Sequence, residues 1–230
     1  MRVCVLDTET NGLLKEGFKP HALQLSYMIL NARGIGRGRI IEKRVDRIIR
    51  ISKTTELSEE SIRIHGITRE RSEKEGNGMK EVLEEWMDEI KKRGVKLLVG
   101  HNIEYDLKVL EYESERNGWS GLFGEKGLLG EIRGEGGIGV YCTAKESVGV
   151  CNERGAGGKY LKYVRLIEVY KKLFGELGSE YEKYLHDSRM DVLVCVRIYI
   201  KLSYGEYMCG EWKRELERYE LRRSERIKNR

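Results

Sequence analysis

Short runs of apolar residues, some unbroken and some alternating with polar residues, recur along the chain and are typical of β-strands. The runs predict five strands, RVCVLDTE (2–9), HALQLSYMIL (21–30), RIIEKRVDRII (39–49), KLLVG (96–100) and VYCTAKES (140–147). Three turn-forming glycines, Gly34, Gly36 and Gly38, lie between the second and the third of these runs. They predict that these two strands form a hairpin.

Apolar residues spaced three and four apart predict helices elsewhere in the chain. The helices cover LSEESIRIHG (57–66), MKEVLEEWMDEIKK (79–92), IEYDLKVLEYESERNG (103–118), KYLKYVRLIEVYKKLFG (159–175) and DVLVCVRIYIKL (191–202). Ser58 is the predicted N-cap of the first helix, and Gly66 is its predicted C-terminal stop.

The order of these elements predicts an α/β fold in which a mixed central β-sheet is flanked by α-helices. We expect one domain at residues 1–204, with a glycine-rich insertion at about 118–139, and a charged helical tail at 205–230. No apolar run approaches the roughly 18 residues that a membrane-spanning helix needs, so no membrane partner is expected.

Composition adds a cellular setting and a class of partner. The five cysteines are widely spaced and form no C-x-x-C pair, which favours reduced thiols inside the cell, in the cytoplasm or nucleus, over disulfides or zinc ligands. The first ten residues pass from apolar residues straight to acids, unlike a signal peptide. The net charge is +5, and the basic residues cluster at 33–50 and 212–230, which indicates a phosphate-bearing partner. Glutamates interleaved in the second stretch favour a solvated helix face there.

Acidic residues follow two of the predicted strands. Asp7 and Glu9 lie two residues apart at the end of the first strand, so their side chains are expected on one face. Asp106 comes just after the strand at 96–100, and active-site residues of α/β sheets collect at the carboxyl ends of strands. The three carboxylates could therefore meet near one edge of the sheet. Two alternatives stay open at this point: one acid of the first pair points to solvent in the turn, and Asp106 only stabilises the dipole of the helix that it opens.

The stretch HDSRMDV (186–192) supplies a further acid beside a histidine. Taken alone, it favours a capping box, in which Ser188 is the N-cap and Asp191 occupies the first turn of a helix. The alternative is that His186 and Asp191 belong to an active site. The two interpretations are compatible, because one residue can both cap a helix and bind a metal.

Together, the four acids form a set of oxygen donors that suits magnesium or manganese: Asp7, Glu9, Asp106 and Asp191. Two such ions roughly 4 Å apart serve in-line displacement at phosphorus. His186 is a candidate general base, because the usual pKa of histidine lies near neutrality. The acids and the histidine therefore predict metal-dependent phosphodiester hydrolysis.

Three motifs in sequence order resemble those of the DEDDh 3′–5′ exonucleases, a family that includes DNA polymerase III epsilon-like and RNase T-like members. They are D-T-E-T-N-G (7–12), H-N-x-x-Y-D (101–106) and H-x-x-x-x-D (186–191). RIHGIT (63–68) and KYVRLIEVYKKLFG (162–175) resemble segments that lie between the motifs. The resemblance implies a ribonuclease H-like fold over most of the chain.

The resemblance also implies a role for each of the four motif acids and for the histidine. The aspartate that matches Asp7 bridges two metal ions, Mg²⁺ or Mn²⁺, and the acids that match Glu9 and Asp191 hold the first ion. The residue that matches Asp106 anchors the second ion, usually through water. The histidine that matches His186 activates the water that releases the 3′-terminal nucleotide as a monophosphate.

Substrate contacts are implied for a second set of motif residues, namely Thr10, Asn11, Gly12, Leu13, Leu14, Asn102 and Tyr105. The first three match contacts to the terminal nucleotide, and one of the two leucines matches an apolar wedge that packs on the last base. For Asn102 and Tyr105 a purely structural role stays equally open.

The sequence thus predicts a two-metal 3′–5′ exonuclease whose partner is a nucleic acid with a free, single-stranded 3′ end. DNA proofreading or repair and RNA trimming both stay open, as do a homodimer and association with a polymerase or helicase. Two rival interpretations are a non-catalytic nucleic-acid-binding scaffold and an endonuclease of the same broad fold. The scaffold is disfavoured because all four acids and the histidine are present.

Overall fold

The computed structural model describes residues 1–119, 137–151 and 164–228, in which five strands form one mixed sheet. The strands are β1 (Arg2–Thr10), β2 (Ala22–Asn31), β3 (Ile41–Ile48), β4 (Val95–Gly100) and β5 (Gly139–Cys142). The helices are α1 (Glu59–His65), α2 (Arg69–Glu75), α3 (Met79–Arg93), α4 (Ile103–Arg116), α5 (Thr143–Glu146), α6 (Val148–Cys151), α7 (Leu166–Phe174), α8 (Ser179–Glu182), α9 (Ser188–Tyr204) and α10 (Cys209–Lys228).

The sheet has the order β3-β2-β1-β4-β5. β2 pairs antiparallel with both β1 and β3, whereas β4 runs parallel to both β1 and β5. The hairpin of β2 and β3 and the mixed α/β architecture predicted from sequence are therefore present. Because β1 and β4 are parallel neighbours, their carboxyl ends lie at the same edge of the sheet.

The two faces of the central strand β1 are packed into two separate cores. Val3 and Val5 pack with the apolar residues of α9, whereas Cys4 and Leu6 pack with those of α3 and α4. This alternation follows from the period of two in a strand. Continued to the end of β1, it places Asp7 and Glu9 on the α9 side of the sheet.

Helix ends agree with the sequence at α1 and differ at α9. Ser58 caps α1 by accepting the Ser61 N–H, and Gly66 ends the helix at φ 67°. At α9, however, the N-cap is Asp187, whose side chain accepts the Arg189 N–H, while Ser188 is the first residue of the helix. The predicted Ser188 capping box is therefore wrong, because the hydroxyl of Ser188 donates instead to Ser26 Oγ.

Two other predicted elements differ in extent. β5 ends at Cys142, and the remainder of the predicted strand forms α5. The helix predicted over 159–175 begins at Leu166, and the part before residue 164 lies outside the described residues. Most of the glycine-rich insertion at 118–139 also lies outside them.

The C-terminal helix α10 packs against the sheet and α9. Trp212, Leu216 and Tyr219 are buried in the core that contains α9. The buried carboxylate of Glu211 accepts the N–H groups of Ile40 and Ile41 at 3.0–3.1 Å. Most of the other residues between 213 and 225 are exposed, so the helix has the predicted solvated face as well as a buried face that covers the edge strand β3. The division of the chain after residue 204 stays a prediction.

Within the described residues, none of the helices combines the length and the apolar character that crossing a membrane requires.

Candidate active site

Three carboxylates from two distant segments meet at the carboxyl end of β1. Ligand oxygens of Asp7, Glu9 and Asp191 lie within 4.8 Å of one another. Asp7 and Glu9 come from the end of β1, and Asp191 comes from the first turn of α9. Glu9 is buried, and the two aspartates are partly buried. The structure therefore brings together three of the four acids that the sequence predicted as metal ligands.

The first turn of α9 is fixed to strand β2, opposite the two acids of β1. In the antiparallel register, Ser26 lies opposite Asp7, and Gln24 lies opposite Glu9. The hydroxyl of Ser188 donates to Ser26 at 2.6 Å, and the amide of Gln24 donates to Asp187 at 3.3 Å. These bonds place the start of α9 over the end of β1.

A second layer of polar side chains supports that position. Arg189 forms ion pairs with Asp187 at 3.0 Å and with Asp46 at 3.2 Å. The hydroxyl of Tyr219 on α10 donates to Asp187 at 3.0 Å. Although burial opposes it, the charge of Arg189 lowers the pKa of Asp187. The sequence analysis gave Asp46, Arg189 and Tyr219 no role, because no local pattern links residues so far apart in the chain.

Asp106 lies beside the three-carboxylate cluster and is held by β1. Its Oδ1 accepts the backbone N–H of Thr8 at 3.0 Å and the Thr8 hydroxyl at 2.7 Å. Asp106 is buried, and its charge is among the causes that raise the pKa of Asp7. Thr8, which lies between the two acids of the first motif, is therefore the positioning residue that sequence analysis missed.

All four acids hold protons more tightly than ordinary carboxyl groups. Burial, and next the charges of neighbouring acids, raise the pKa values of Asp7 and Glu9 well above their usual values. Burial raises the pKa values of Asp106 and Asp191 from 3.8 to about 7. No cation of the described chain is paired with the cluster, so the mutual repulsion is uncompensated by the protein.

The cluster fits a divalent cation by two observations. Asp191 Oδ1 is buried and has no hydrogen-bond partner, although a buried carboxylate oxygen normally has one. The donor set is entirely carboxylate oxygen, which hard cations such as Mg²⁺ and Mn²⁺ prefer. A cation at this cluster would satisfy the unpaired oxygen and neutralise the repulsion.

His186 lies at the rim of the site, on the turn that leads into α9. Its backbone N–H donates to Asp191 Oδ2 at 3.1 Å, and its backbone adopts φ 69°. The residue is exposed. Partial burial of the ring, and next the charge of Arg165, lower the pKa of His186 below 6.5, so the imidazole is neutral at pH 7 and able to accept a proton.

Residues of the first motif form a small polar group with α4. Thr10 Oγ1 lies 2.6 Å from the Tyr105 hydroxyl and donates to the Gly12 carbonyl at 2.8 Å, and Tyr105 also contacts that carbonyl at 2.7 Å. A Cβ at Gly12 would lie 3.0 Å from the Phe18 ring, so the turn favours glycine there. Of the two roles that the sequence left open for Tyr105, substrate contact and structural support, the structure shows the second.

The other predicted substrate contacts divide into buried and exposed residues. The side chain of Asn11 is buried, accepts the His21 N–H and donates to the Glu56 carbonyl, so a side-chain contact from Asn11 to a nucleotide is not supported. Leu13 is 69% exposed, whereas Leu14 is partly buried. Leu13 is therefore the better placed of the two leucines for an apolar wedge. Asn102 is exposed at φ 69° and makes no capping hydrogen bond.

The part of the basic stretch at 33–50 that lies on β3 is paired within the protein. Lys43, Arg44 and Arg47 form ion pairs with Glu89, Glu215 and Glu85, respectively, and Arg50 donates to the Gly76 carbonyl. The charges of Lys43, Arg44 and Arg47 are neutralised by acids of α3 and α10. Phosphate contacts from this stretch stay a prediction, and in its strand portion such contacts would compete with these ion pairs.

The raised pKa values predict that the metal-free protein loses stability as pH rises. The folded state of Asp106 and Asp191 binds protons more tightly than the unfolded state, so their contribution is full below about pH 4 and is lost as pH rises through about 7. His65, whose pKa burial lowers to about 4, acts in the opposite direction below pH 6.5. We therefore expect the melting temperature in EDTA to fall between pH 6.5 and 8.5.

Thermal melts with EDTA and with Mg²⁺ across that range would test this expectation. The fall should be absent with saturating Mg²⁺ and smaller in Asp191→Asn, which has one titrating carboxyl fewer. A melting temperature in EDTA that does not change between pH 6.5 and 8.5 would show that the carboxyl groups are not perturbed.

Comparisons with known proteins point to one class of enzyme. A family model described as an exonuclease, that of RNase T, matches residues 4–120, which is just over half of the chain. No curated protein matches at the level of the sequence. The model covers the first two motifs, and the third motif lies beyond its match.

Solved structures of exonucleases share the fold. Exonuclease I of E. coli in complex with a dA16 oligonucleotide has a TM-score of 0.63 at 13% identity, over 89% of this chain and 41% of that chain. The nuclease domain of 3′hExo, a DEDDh family member bound to rAMP, has a TM-score of 0.61 at 16% identity, over 90% and 93% of the two chains. These matches confirm the predicted ribonuclease H-like fold.

Two further exonuclease structures with the same fold contain a nucleic acid. A 3′-exonuclease that recognises the histone mRNA stem-loop has a TM-score of 0.61 at 15% identity, over 90% of this chain and 83% of that chain. A zinc-bound complex of E. coli exonuclease I with single-stranded DNA has a TM-score of 0.62 at 13% identity, over 89% of this chain and 41% of that chain. The chain thus spans about two fifths of the length of exonuclease I.

Proposed function

The chain belongs to the RNase T exonuclease family, and on that premise we propose that it is a metal-dependent 3′–5′ exonuclease of the DEDDh type. It hydrolyses phosphodiester bonds at the 3′ end of single-stranded DNA or RNA and releases nucleoside 5′-monophosphates. The observation that carries the proposal is the cluster of Asp7, Glu9 and Asp191, with the unpartnered Asp191 Oδ1 inside it.

The four acids would hold two ions, Mg²⁺ or Mn²⁺. Asp7, Glu9 and Asp191 would hold the first ion, and Asp7 with Asp106 would hold the second. Bound divalent cations supply positive charge to both the attacking and the leaving oxygen of an in-line displacement at phosphorus. Thr8 orients Asp106 by two hydrogen bonds, which fixes one carboxylate of the site independently of any ligand.

His186 acts as the general base in this proposal. A neutral ring nitrogen of His186 accepts the proton of the attacking water, and the lowered pKa keeps that nitrogen free at pH 7. The bond from its backbone N–H to Asp191 holds the residue at the edge of the carboxylate cluster. Leu13, largely exposed beside the first motif, packs on the last base of the strand.

DNA and RNA are two alternative substrates for the proposed exonuclease. The structurally similar exonuclease I is described in complex with a DNA oligonucleotide, and the similar 3′-exonuclease is described with an mRNA stem-loop. Both have nearly the same TM-score with this chain, so neither sugar is favoured. RNA trimming is therefore the second candidate, and a non-catalytic scaffold is disfavoured by the intact cluster.

A single assay tests the proposal. We expect 5′-labelled single-stranded oligonucleotides to shorten one nucleotide at a time with Mg²⁺ or Mn²⁺, and to remain intact in EDTA. Parallel DNA and RNA oligonucleotides of one sequence would identify the preferred sugar.

A circular single strand is the control, because it has no 3′ end. Cleavage of the circle would indicate an endonuclease and would contradict the proposal. Persistence of every linear oligonucleotide with either metal would favour the non-catalytic scaffold.

A further inference from the structure

A cavity of about 260 Å³ is lined in part by His186, the proposed base. Its wall is built from the end of α1, α2, the segment between α8 and α9, the first turn of α9, and α10. The charged side chains that line it are Arg63, Arg71, Lys183, Asp187, Arg189 and Arg223. Five cations and one acid therefore surround a space that opens next to the proposed base.

Three of these cations have no acidic partner among the residues that the structure describes. Arg71 pairs with Glu75, and Arg189 pairs with Asp187, so their charges are neutralised locally. No such ion pair is formed within the described chain by Arg63, Lys183 or Arg223. The cavity therefore carries a positive charge that the protein leaves uncompensated.

Two of the unpaired cations are held in place by one aromatic ring. The guanidinium of Arg223 lies 4.1 Å from the centre of the Tyr184 ring, and the ammonium of Lys183 lies 4.9 Å from the same ring. Tyr184 packs in turn on the buried Tyr219, with 5.6 Å between ring centres. Stacking of this kind orients a cation without neutralising it.

His65 adds a hydrogen-bond donor to the wall of the cavity. The backbone N–H of Ile67 donates to its Nδ1 at 3.0 Å, so in the neutral ring Nε2 carries the proton. The side chain is 7% exposed, lines the cavity, and its Nε2 has no partner. A buried donor without an acceptor is costly unless a ligand supplies one.

We propose that this cavity binds a backbone phosphate of the nucleic-acid strand, with Arg63, Lys183 and Arg223 as its cationic contacts. The inference rests on the proposed function and adds a binding site that lies outside the carboxylate cluster. A phosphate group offers several acceptor oxygens to cations that approach from different sides. Contacts of this kind position a strand without reading its sequence. Arg223 gives the C-terminal helix a direct part in substrate binding.

Binding of a single-stranded oligonucleotide in EDTA tests the proposal without hydrolysis. We expect Arg223→Gln to weaken binding about tenfold, as for loss of one charge-assisted hydrogen bond. Each lost phosphate contact should also reduce the slope of log K against log salt by about 0.7 for a single strand. Arg63→Gln and Lys183→Gln should act in the same direction.

Arg222→Gln is the matched control, since Arg222 is exposed on the same helix and does not line the cavity. We expect its binding to stay within about twofold of the wild type. Equal losses in Arg222→Gln and Arg223→Gln would overturn the proposal, because they would indicate a diffuse positive field. Circular dichroism melts of both variants would show whether either change unfolds the helix.

A second arm distinguishes the strand from the released nucleotide, which carries the same phosphate chemistry. Titration with a nucleoside 5′-monophosphate should be affected less by Arg223→Gln than oligonucleotide binding is. If only monophosphate binding weakens, the strand assignment is wrong. Failure of the wild type to bind any oligonucleotide would overturn both this inference and the proposed function, whereas normal binding without Mg²⁺-dependent hydrolysis would overturn only the latter.

Discussion

Replacement of Asp7 by asparagine should abolish hydrolysis and, in EDTA, make the folded protein more stable. Asp7 belongs to the carboxylate cluster, and its pKa is raised by burial and by the charges of Asp106, Asp191 and Glu9. The negative charge of Asp7 would attract a bound cation, but in the absence of a cation it repels the neighbouring carboxylates. Stability and activity should change in opposite directions at this position.

The expected sizes follow from these two effects. Loss of a metal-bridging carboxylate removes several kcal/mol of transition-state stabilisation, so the rate should fall by about 10³-fold or more. Relief of about 1 kcal/mol of repulsion would raise the melting temperature in EDTA at pH 8 by about 2–4 °C for a chain of this size. Mg²⁺ should raise the melting temperature of the wild type and should have little effect on Asp7→Asn.

Asp88→Asn is the matched control for charge removal, because Asp88 is exposed on α3 and away from the cluster. It should leave the rate and the Mg²⁺ effect unchanged. If Asp7→Asn hydrolyses the substrate at the wild-type rate, Asp7 is not a ligand of a catalytic metal ion. A lower melting temperature in EDTA would mean that Asp7 has a stabilising contact that outweighs its repulsion.

The sheet and the first two acids were predictable because their determinants are local. A period of two in residues 2–9 fixes which side chains of β1 share a face, and Asp7 and Glu9 follow from it. The buried run of β2 was equally clear, since nine of its ten residues are buried by helices on both faces of the sheet. The motif order then indicated the family that the model of residues 4–120 confirms.

The start of α9 shows where local rules failed. The S-x-x-D pattern made Ser188 the expected cap, but Ser188 is buried against Ser26 and Asp187 caps the helix. A hydroxyl near a helix start can bond either to its own backbone or to a neighbouring element. Only the antiparallel register of β1 and β2, which places Ser26 opposite Asp7, shows why the second choice occurs here.

The contacts of the C-terminal helix α10 with the sheet could not be predicted from the sequence, for a related reason. Its glutamates suggested a solvated face, yet Glu215 is buried and pairs with Arg44 at 2.5 Å. The pairing joins residues that are 171 positions apart. Charge patterns along one helix indicate contacts within that helix but not its contacts with a distant strand. The same limit hid the cations that line the cavity beside His186.

Replacement of His186 by glycine should reduce hydrolysis by about 10²- to 10⁴-fold, the usual contribution of a general base. Glycine is chosen because His186 has φ 69°, a conformation that glycine adopts without strain. Metal binding should persist, because Asp7, Glu9 and Asp191 form the candidate ion site without the imidazole. The rate of hydrolysis should therefore fall, while the affinity for Mn²⁺, measured by calorimetry, should stay unchanged.

Added imidazole provides a readout that a structural role would not give. If the ring of His186 accepts a proton from water, free imidazole should restore part of the rate of His186→Gly, and should do nothing for Asp7→Asn. His21→Gln is the control, since His21 is a partly exposed histidine that contacts Glu113 away from the cluster. Loss of Mn²⁺ binding in His186→Gly would reassign the residue as a metal ligand, because the bond from its backbone to Asp191 is available to glycine as well.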